Sequence, residues 1–145
     1  LYTYHTIGEA ESLIDFFAES FETERGIRWG IARKEDNRLI GTCGFVWLRR
    51  HRGEIGYELN RKMWRQGYMS EAVREITTVG FKQLLLNRIE AIVMIDNDAS
   101  AGLLKANGFT EEGLLRDYDF FKGAFHDMRL FSLLRRDTQE VDWIR

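Results

Sequence analysis

The sequence predicts a single α/β domain whose sheet is mixed. Three observations carry that prediction. Apolar residues fall in short strand-like runs on either side of a middle region with helical spacing. Turn residues separate those runs at close intervals, although the chain holds no proline. At 145 residues the chain has the length of one compact domain with a core of its own, and no repeat, low-complexity tract or linker divides it.

The elements follow in order. Glu9–Ser20 places Leu13, Ile14, Phe16 and Phe17, with Phe21 just beyond, on one helical face flanked by acids, so a first helix is expected there. Ile27–Arg33 and Leu39–Leu48 are apolar runs around Glu35-Asp36-Asn37, which reads as a hairpin. In the second run both parities are apolar (Ile40, Val46, Leu48; Leu39, Phe45, Trp47), the pattern of a strand covered on both faces in mid-sheet. A charged turn, Arg49–Gly53, leads into a third strand, Glu54–Leu59. After Asn60 the pattern changes. Ser70 reads as an N-cap with Glu71 at the dipole's positive end, and Val73, Ile76, Gly80 and Leu84 keep helical spacing. Arg88–Ile95 is a strand, and Asp96-Asn97-Asp98 opens a short helix that Asn107-Gly108 closes. Phe109–Phe121 and Phe125–Leu134 are two last strands joined around Lys122-Gly123.

Composition narrows the function. Lys+Arg 21 against Asp+Glu 23 leaves a net charge of −2, which argues against a protein built to grip nucleic acid. One cysteine, Cys43, excludes an intrachain disulfide, and three scattered histidines form no metal-binding pair. No apolar run approaches a membrane span, and no signal peptide is visible. The expectation is a soluble, cytoplasmic, metal-free domain with no direct nucleic-acid or membrane partner. The chain begins at Leu1 without a methionine and is read as a processed or trimmed product.

A strand, a glycine-bearing loop and a helix suit a phosphate, because uncapped backbone N–H groups and the helix dipole converge on an anion; taken alone, the same residues also suit an ordinary strand-to-helix loop with surface arginines. Gln66 to Met69 supply the amides, Gly67 permits close approach, and Arg61, Lys62 and Arg65 add positive charge. The loop lacks the Gly-Lys-Ser/Thr of a Walker motif and the repeated glycines of a dinucleotide fold.

Four segments then occur in order: Glu54-Ile-Gly-Tyr-Glu-Leu-Asn60, Trp64-Arg-Gln-Gly-Tyr-Met-Ser-Glu-Ala72, Asp96-Asn-Asp-Ala-Ser100 and Lys105-Ala-Asn-Gly-Phe109. Together they resemble the GNAT superfamily of acetyl-CoA-dependent N-acetyltransferases, and within it the RimJ/RimL-type branch, which includes enzymes acetylating the N-termini of ribosomal proteins. The resemblance implies one acetyltransferase domain over residues 1–145, with the strand that usually precedes the first helix either trimmed or confined to Leu1–Thr6. Its mostly antiparallel sheet would be flanked by helices and splayed open at the coenzyme. Arg65, Gln66, Gly67, Tyr68, Met69 and Ser70 would hold the pyrophosphate. Against the family's Gln/Arg-x-x-Gly-x-Gly/Ala, this chain has Trp64 and Met69 at the outer positions. Tyr57, Glu58 and Leu59 would pair with the pantetheine arm through backbone, with Asn97, Ser100 and Leu104 meeting it from the other side.

The chemistry asks that an amine lose a proton and a thiolate leave. An α-amine of pKa about 7.8 is roughly 14% neutral at pH 7, against about 0.04% for a lysine, so an N-terminal acceptor needs only a modest base. Glu54 and Glu58, at alternate strand positions, share one face, and either can serve, Glu58 lying nearer the implied thioester; the alternative for each is a solvated strand carboxylate or one paired with an arginine of 49–52. The family's usual tyrosine acid falls at Leu104 here, so Ser100 is the implied donor near the sulfur. Asp119 matches an acidic position that orients the amine in some members. Direct transfer in a ternary complex is implied, with acetyl-CoA as co-substrate and a peptide N-terminus as acceptor, in a monomer or homodimer.

Two alternatives stand beside this one. The first is a small-amine acetyltransferase for a polyamine, amino acid or aminoglycoside, with Glu22, Glu24, Glu54, Glu58, Asp117 and Asp119 lining an acidic cleft. The second is a non-catalytic acyl-CoA-binding domain. Cys43, on the doubly apolar strand, is read as core, the Arg49–Arg52 turn as solvated, and Trp143 as available to pack against a partner chain.

Overall fold

The computed structural model describes residues 2–5 and 14–23 as backbone and residues 26–138 in full. Among the described residues, eight strands form one sheet in the order β1-β2-β3-β4-β5-β6-β8-β7: β1 (Tyr2–His5), β2 (Ile14–Thr23), β3 (Gly26–Arg33), β4 (Arg38–Arg49), β5 (Arg52–Leu59), β6 (Arg88–Met94), β7 (Thr110–Phe121) and β8 (Ala124–Leu134). Helix α1 (Tyr68–Lys82) connects β5 to β6, and α2 (Asp98–Ala106) connects β6 to β7. Neighbouring strands are antiparallel except β5 and β6, which run parallel. A parallel pair needs a long crossover, and α1 provides it. No helix among the described residues is long and apolar enough to cross a membrane.

Helix α1 begins three residues before its predicted start, with Gly67 rather than Ser70 as its N-cap; the strands from β3 onward and α2 lie within a residue or two of their predicted places. The helix expected over Glu9–Ser20 does not form as predicted. Of the predicted span, residues 14–20 belong to β2, paired with β1 and β3, and residues 9–13 lie outside the described residues. Phe16 and Phe17 fit a strand as well as a helix, and pairing with β3 settles the choice, since tertiary context overrides a short periodic signal.

The apolar double parity of β4 has a different cause from the expected one. Ile31 pairs with Gly41 and Ala32 with Leu39, leaving Ile40 as an extra residue. Phe45 pairs with Ile55 and Trp47 with Glu54, leaving Val46 as another. Each bulge shifts side-chain parity by one. Ile40, Cys43 and Phe45 therefore all join the core with Leu48 against them, whereas Leu39 and Val46 stay exposed. β4 is internal, as predicted, but its apolar residues serve mainly one face.

That core face receives α1 through Ala72, Val73, Ile76, Val79 and Phe81, all buried. Closure depends on Gly80, where an added Cβ would sit 2.8 Å from Ile89 and 2.9 Å from Phe45. Cys43 is buried, and burial pushes its thiol up to about 12, the state of an inert core residue.

Candidate active site

The site begins where the sheet opens. β5 and β6 pair only from Arg52↔Arg88 to Ile55↔Ala91. Beyond Ile55 the ladder between them stops, although β6 keeps pairing with β8 as far as Met94↔Met128. The C-terminal half of β5, Gly56 to Leu59, thus presents an edge inside the sheet. Such an edge is a template for an extended ligand to pair with.

The loop from β5 to α1 closes one end of that opening. A single 3-10 turn, Arg61–Met63, is capped by Asn60, whose Oδ1 accepts from the Lys62 N–H at 3.2 Å. The Trp64 indole donates to the Leu59 carbonyl at 2.9 Å and fastens the loop to the end of β5. Arg65 and Gly67 both have positive φ, 63° and 83°, which turns the backbone sharply on either side of Gln66. Gly67 is the N-cap of α1 and offers no side-chain cap. The first helical bond runs from the Glu71 N–H to the Gly67 carbonyl, so the amides of Tyr68, Met69 and Ser70 precede the ladder. Ser70, predicted as the N-cap, lies inside the first turn, and its hydroxyl accepts from Asn107 at 3.1 Å. An added Cβ at Gly67 would meet nothing within 4 Å: the loop faces open space.

The opposite wall is α2. Asn97 caps it, its Oδ1 accepting from the Ser100 N–H at 3.0 Å. The Ser100 hydroxyl is not spent on the cap and forms a 2.5 Å hydrogen bond with the Tyr57 phenol across the cleft. Burial pushes the Tyr57 phenol above its ordinary range, opposed by that bond.

A cleft of about 790 Å³ lies between these walls, lined by residues that include Tyr57, Glu58, Leu59, Arg65, Gly67, Met69, Ser70, Asn97 and Ser100. Those nine were all singled out from sequence. Trp64, Ala99 and Leu103 line it too and were missed; helical spacing from Ser100 was the available signal for Leu103. Leu104, singled out as a coenzyme contact, is instead fully buried in the core, because one further residue along α2 turns it toward the sheet. Tyr68 is likewise buried and can offer only its amide. Gln66 points away and donates to the Lys62 carbonyl at 3.1 Å.

The candidate carboxylates lie on the other face of β5. Register places Glu58 opposite Thr42 and Glu54 opposite Trp47, on the face away from Ile55 and Tyr57. Glu58 reaches the cleft. The Thr42 hydroxyl beside it is buried without a hydrogen-bond partner among the described residues. Glu54 is outside the cleft lining and accepts from the Trp47 indole at 3.0 Å, not from an arginine of the charged turn. Arg49 and Arg52 instead stack on Trp47, and Arg52 pairs with Glu90 at 3.6 Å. Glu54 and Glu90 are register neighbours.

β7 completes this side through an irregularity. Between Leu115↔Met128 and Asp119↔His126 it carries extra residues, with Asp117 at φ 45° and its N–H held by Asp127. The bulge swings Tyr118 and Asp119 toward Glu54. Burial holds the Glu54 carboxyl above its ordinary value; the Trp47 bond opposes this, and Glu90 and Asp119 reinforce it. Of the proposed acidic cleft, Glu24 lies outside the described residues and only the backbone of Glu22 is described; Trp143 too lies outside.

A raised folded-state value means that ionised Glu54 weakens the fold: its contribution is complete below the unfolded value and is lost as pH rises through the folded one. Glu54→Gln mimics the protonated form. It is expected to raise the melting temperature at pH 8 and leave it nearly unchanged at pH 4, modestly, because the carboxyl is partly solvated. A shift of equal size at both pH values would show that charge is not the cause.

The chain matches the acetyltransferase (GNAT) domain family over residues 2–110. It is 42% identical over 132 residues to an uncharacterized N-acetyltransferase, YoaA, of Bacillus subtilis, covering 90% of this chain and 75% of that protein. It is 29% identical over 112 residues to the [Ribosomal protein uS5]-alanine N-acetyltransferase of Escherichia coli, covering 75% and 58%. Among solved structures, the ribosomal-protein-S5-alanine acetyltransferase of Vibrio fischeri superposes with a TM-score of 0.70 at 30% identity, covering 81% of this chain and 63% of that one. The open sheet, the uncapped α1 terminus and these likenesses place the chain in the GNAT acetyltransferase family, as an acyltransferase, and its likeness to the ribosomal-protein-alanine acetyltransferases is consistent with a RimJ/RimL-type branch.

Proposed function

We propose that this domain transfers an acetyl group from acetyl-CoA directly to a protein N-terminal α-amine of the ribosomal-protein type, in the cytoplasm. The observation that carries the reading is the cleft: an interior strand edge, Gly56–Leu59, that ends at an uncapped helix N-terminus beside Arg65. The family uses acetyl-CoA, and this pair of features suits its two parts. The α1 amides and Arg65 suit the pyrophosphate, and the β5 edge suits the amide-bearing arm. Glu58, exposed on the far face of β5 and reaching the cleft, is assigned as the base, directly or through one water. Ser100 is assigned as the hydrogen-bond donor to the departing sulfur. Glu54 and Asp119 are assigned to draw in the acceptor's ammonium before it loses its proton. An α-amine acceptor is supported by the relatives that act on ribosomal-protein alanine, and by the light demand such an amine places on a base.

The gathering of Glu54, Glu90 and Asp119 around Tyr118 also favours a second reading, a small cationic amine as acceptor. Release of coenzyme A thiol from acetyl-CoA, measured over peptides beginning with Ala, Ser or Met, then spermidine, free amino acids and an aminoglycoside, separates the two. Preference for an Ala- or Ser-peptide is the expected result. Preference for spermidine or an aminoglycoside moves the acceptor to the small-amine class, and tight acetyl-CoA binding without turnover on any amine makes the domain a binding module.

A further inference from the structure

We propose that Tyr57 is a positioning residue for the leaving sulfur: its phenol donates to the Ser100 hydroxyl and so turns the Ser100 O–H into the cleft. The proposal rests on reading this cleft as the acetyl-CoA site. From sequence, Tyr57 was of interest only for its backbone beside the pantetheine arm. The structure adds its side chain. Strand alternation puts Glu54 and Glu58 on one face of β5 and Tyr57 on the other, and on that other face the Tyr57 oxygen meets the Ser100 oxygen at 2.5 Å.

Three features determine which group donates. A phenol is far more acidic than an aliphatic hydroxyl and is the better donor between them. The half-buried phenol, pushed above its ordinary range by burial, keeps its proton at neutral pH. The Ser100 backbone N–H is held by Asn97, which fixes where the hydroxyl stands. With one lone pair accepting from Tyr57, Ser100 has its single hydrogen left for the cleft that both residues line. A donor that is itself receiving a hydrogen bond is strengthened by polarisation. The consequence is a division of labour across one strand. On the Glu58 face, the C–N bond forms and the amine proton leaves to the carboxylate. On the Tyr57 face, the C–S bond breaks and its electron pair stays on sulfur, under the Ser100 O–H. The proton released from the amine balances the one the thiolate later takes from solvent, so Tyr57 loses none. Leu104 carries no such group and is buried, and among the described residues Tyr57 is the one tyrosine that lines the cleft; the hydroxyl therefore comes from the opposite wall.

The test uses the whole chain and coenzyme A itself. The thiol of bound coenzyme A is titrated through the ultraviolet absorbance of its thiolate, in wild type, Tyr57→Phe, Ser100→Ala and the double variant. Its pKa is expected to rise in both single variants, with no further rise in the double. Turnover is expected to fall on the order of tenfold in each single variant and no further in the double, while acetyl-CoA affinity stays within about twofold. Thermal unfolding checks that each variant folds, and Ser100→Ala reads the same link from the other side. An unchanged thiol pKa in Tyr57→Phe, or losses that multiply in the double variant, overturns the proposal and leaves the cleft assignment standing. A wild-type protein that binds no acetyl-CoA overturns both.

Discussion

Gly67→Glu is expected to abolish acetyl-CoA binding while leaving the protein folded. The residue caps α1 with φ of 83°, and an added Cβ meets nothing within 4 Å, so the substitution enters open space rather than the core. A non-glycine residue at positive φ costs about 1–2 kcal/mol, which a domain of this size survives. The carboxylate, by contrast, stands where the α1 amides and Arg65 are assigned to receive a pyrophosphate. Like charges brought together in a site cost several kcal/mol, so affinity is expected to fall on the order of 100-fold or more. Gly67→Ala separates backbone from charge: it carries the same conformational cost without the repulsion and is expected to lose much less. Calorimetric titration of acetyl-CoA into the three proteins is the measurement. An unchanged dissociation constant in Gly67→Glu would remove the pyrophosphate from this loop.

The second large effect concerns Glu58. Glu58→Gln keeps the shape of the side chain and removes its basicity. With an α-amine acceptor, turnover is expected to fall on the order of 100-fold at pH 7, within the usual range for a lost general base. The loss is expected to shrink at pH 9, where about 94% of such an amine is already neutral. With a lysine-like amine the loss would persist at pH 9, so the profile also reports on the acceptor class. Acetyl-CoA affinity is expected to be unchanged, because the arm is assigned to the backbone of β5. An equal loss at both pH values with an α-amine peptide would mean that Glu58 is not the base and would turn attention to Glu54, whose carboxyl burial already holds above its ordinary range.

The two proposals meet on one strand. β5 is eight residues long, is paired along its whole length with β4, and is half free toward β6. Its alternation sends Glu54 and Glu58 to one face and Tyr57 to the other, while its free edge lies between them. A one-residue slip of register would exchange those faces. The bulge at Val46 keeps Trp47 opposite Glu54 while Phe45 remains in the core. The strand's accuracy in the site thus depends on a local irregularity in its neighbour.

What the sequence determined by itself is local and periodic. The β3–β4 hairpin around Asn37, the strand–loop–helix order that holds α1, the opening of α2 at Asp96-Asn97-Asp98 and the Lys122-Gly123 turn, with φ of 52° and 77°, are all legible because the chemistry that makes them lies within a few residues. The glycine loop was legible for the same reason. Tertiary structure decided what depends on distant partners. It drew residues 14–20 into a strand, since only pairing with β3 distinguishes that pattern from a helix. It absorbed the apolar parity of β4 into two bulges, which exist only in relation to neighbouring strands. It put the N-cap of α1 at Gly67 rather than at Ser70, whose hydroxyl Asn107 occupies from 37 positions away. It turned Leu104 into the core and Leu103 into the cleft. It also joined Tyr57 to Ser100 across 43 residues, a contact that no spacing announces, because it exists only where β5 and α2 face each other across the open sheet.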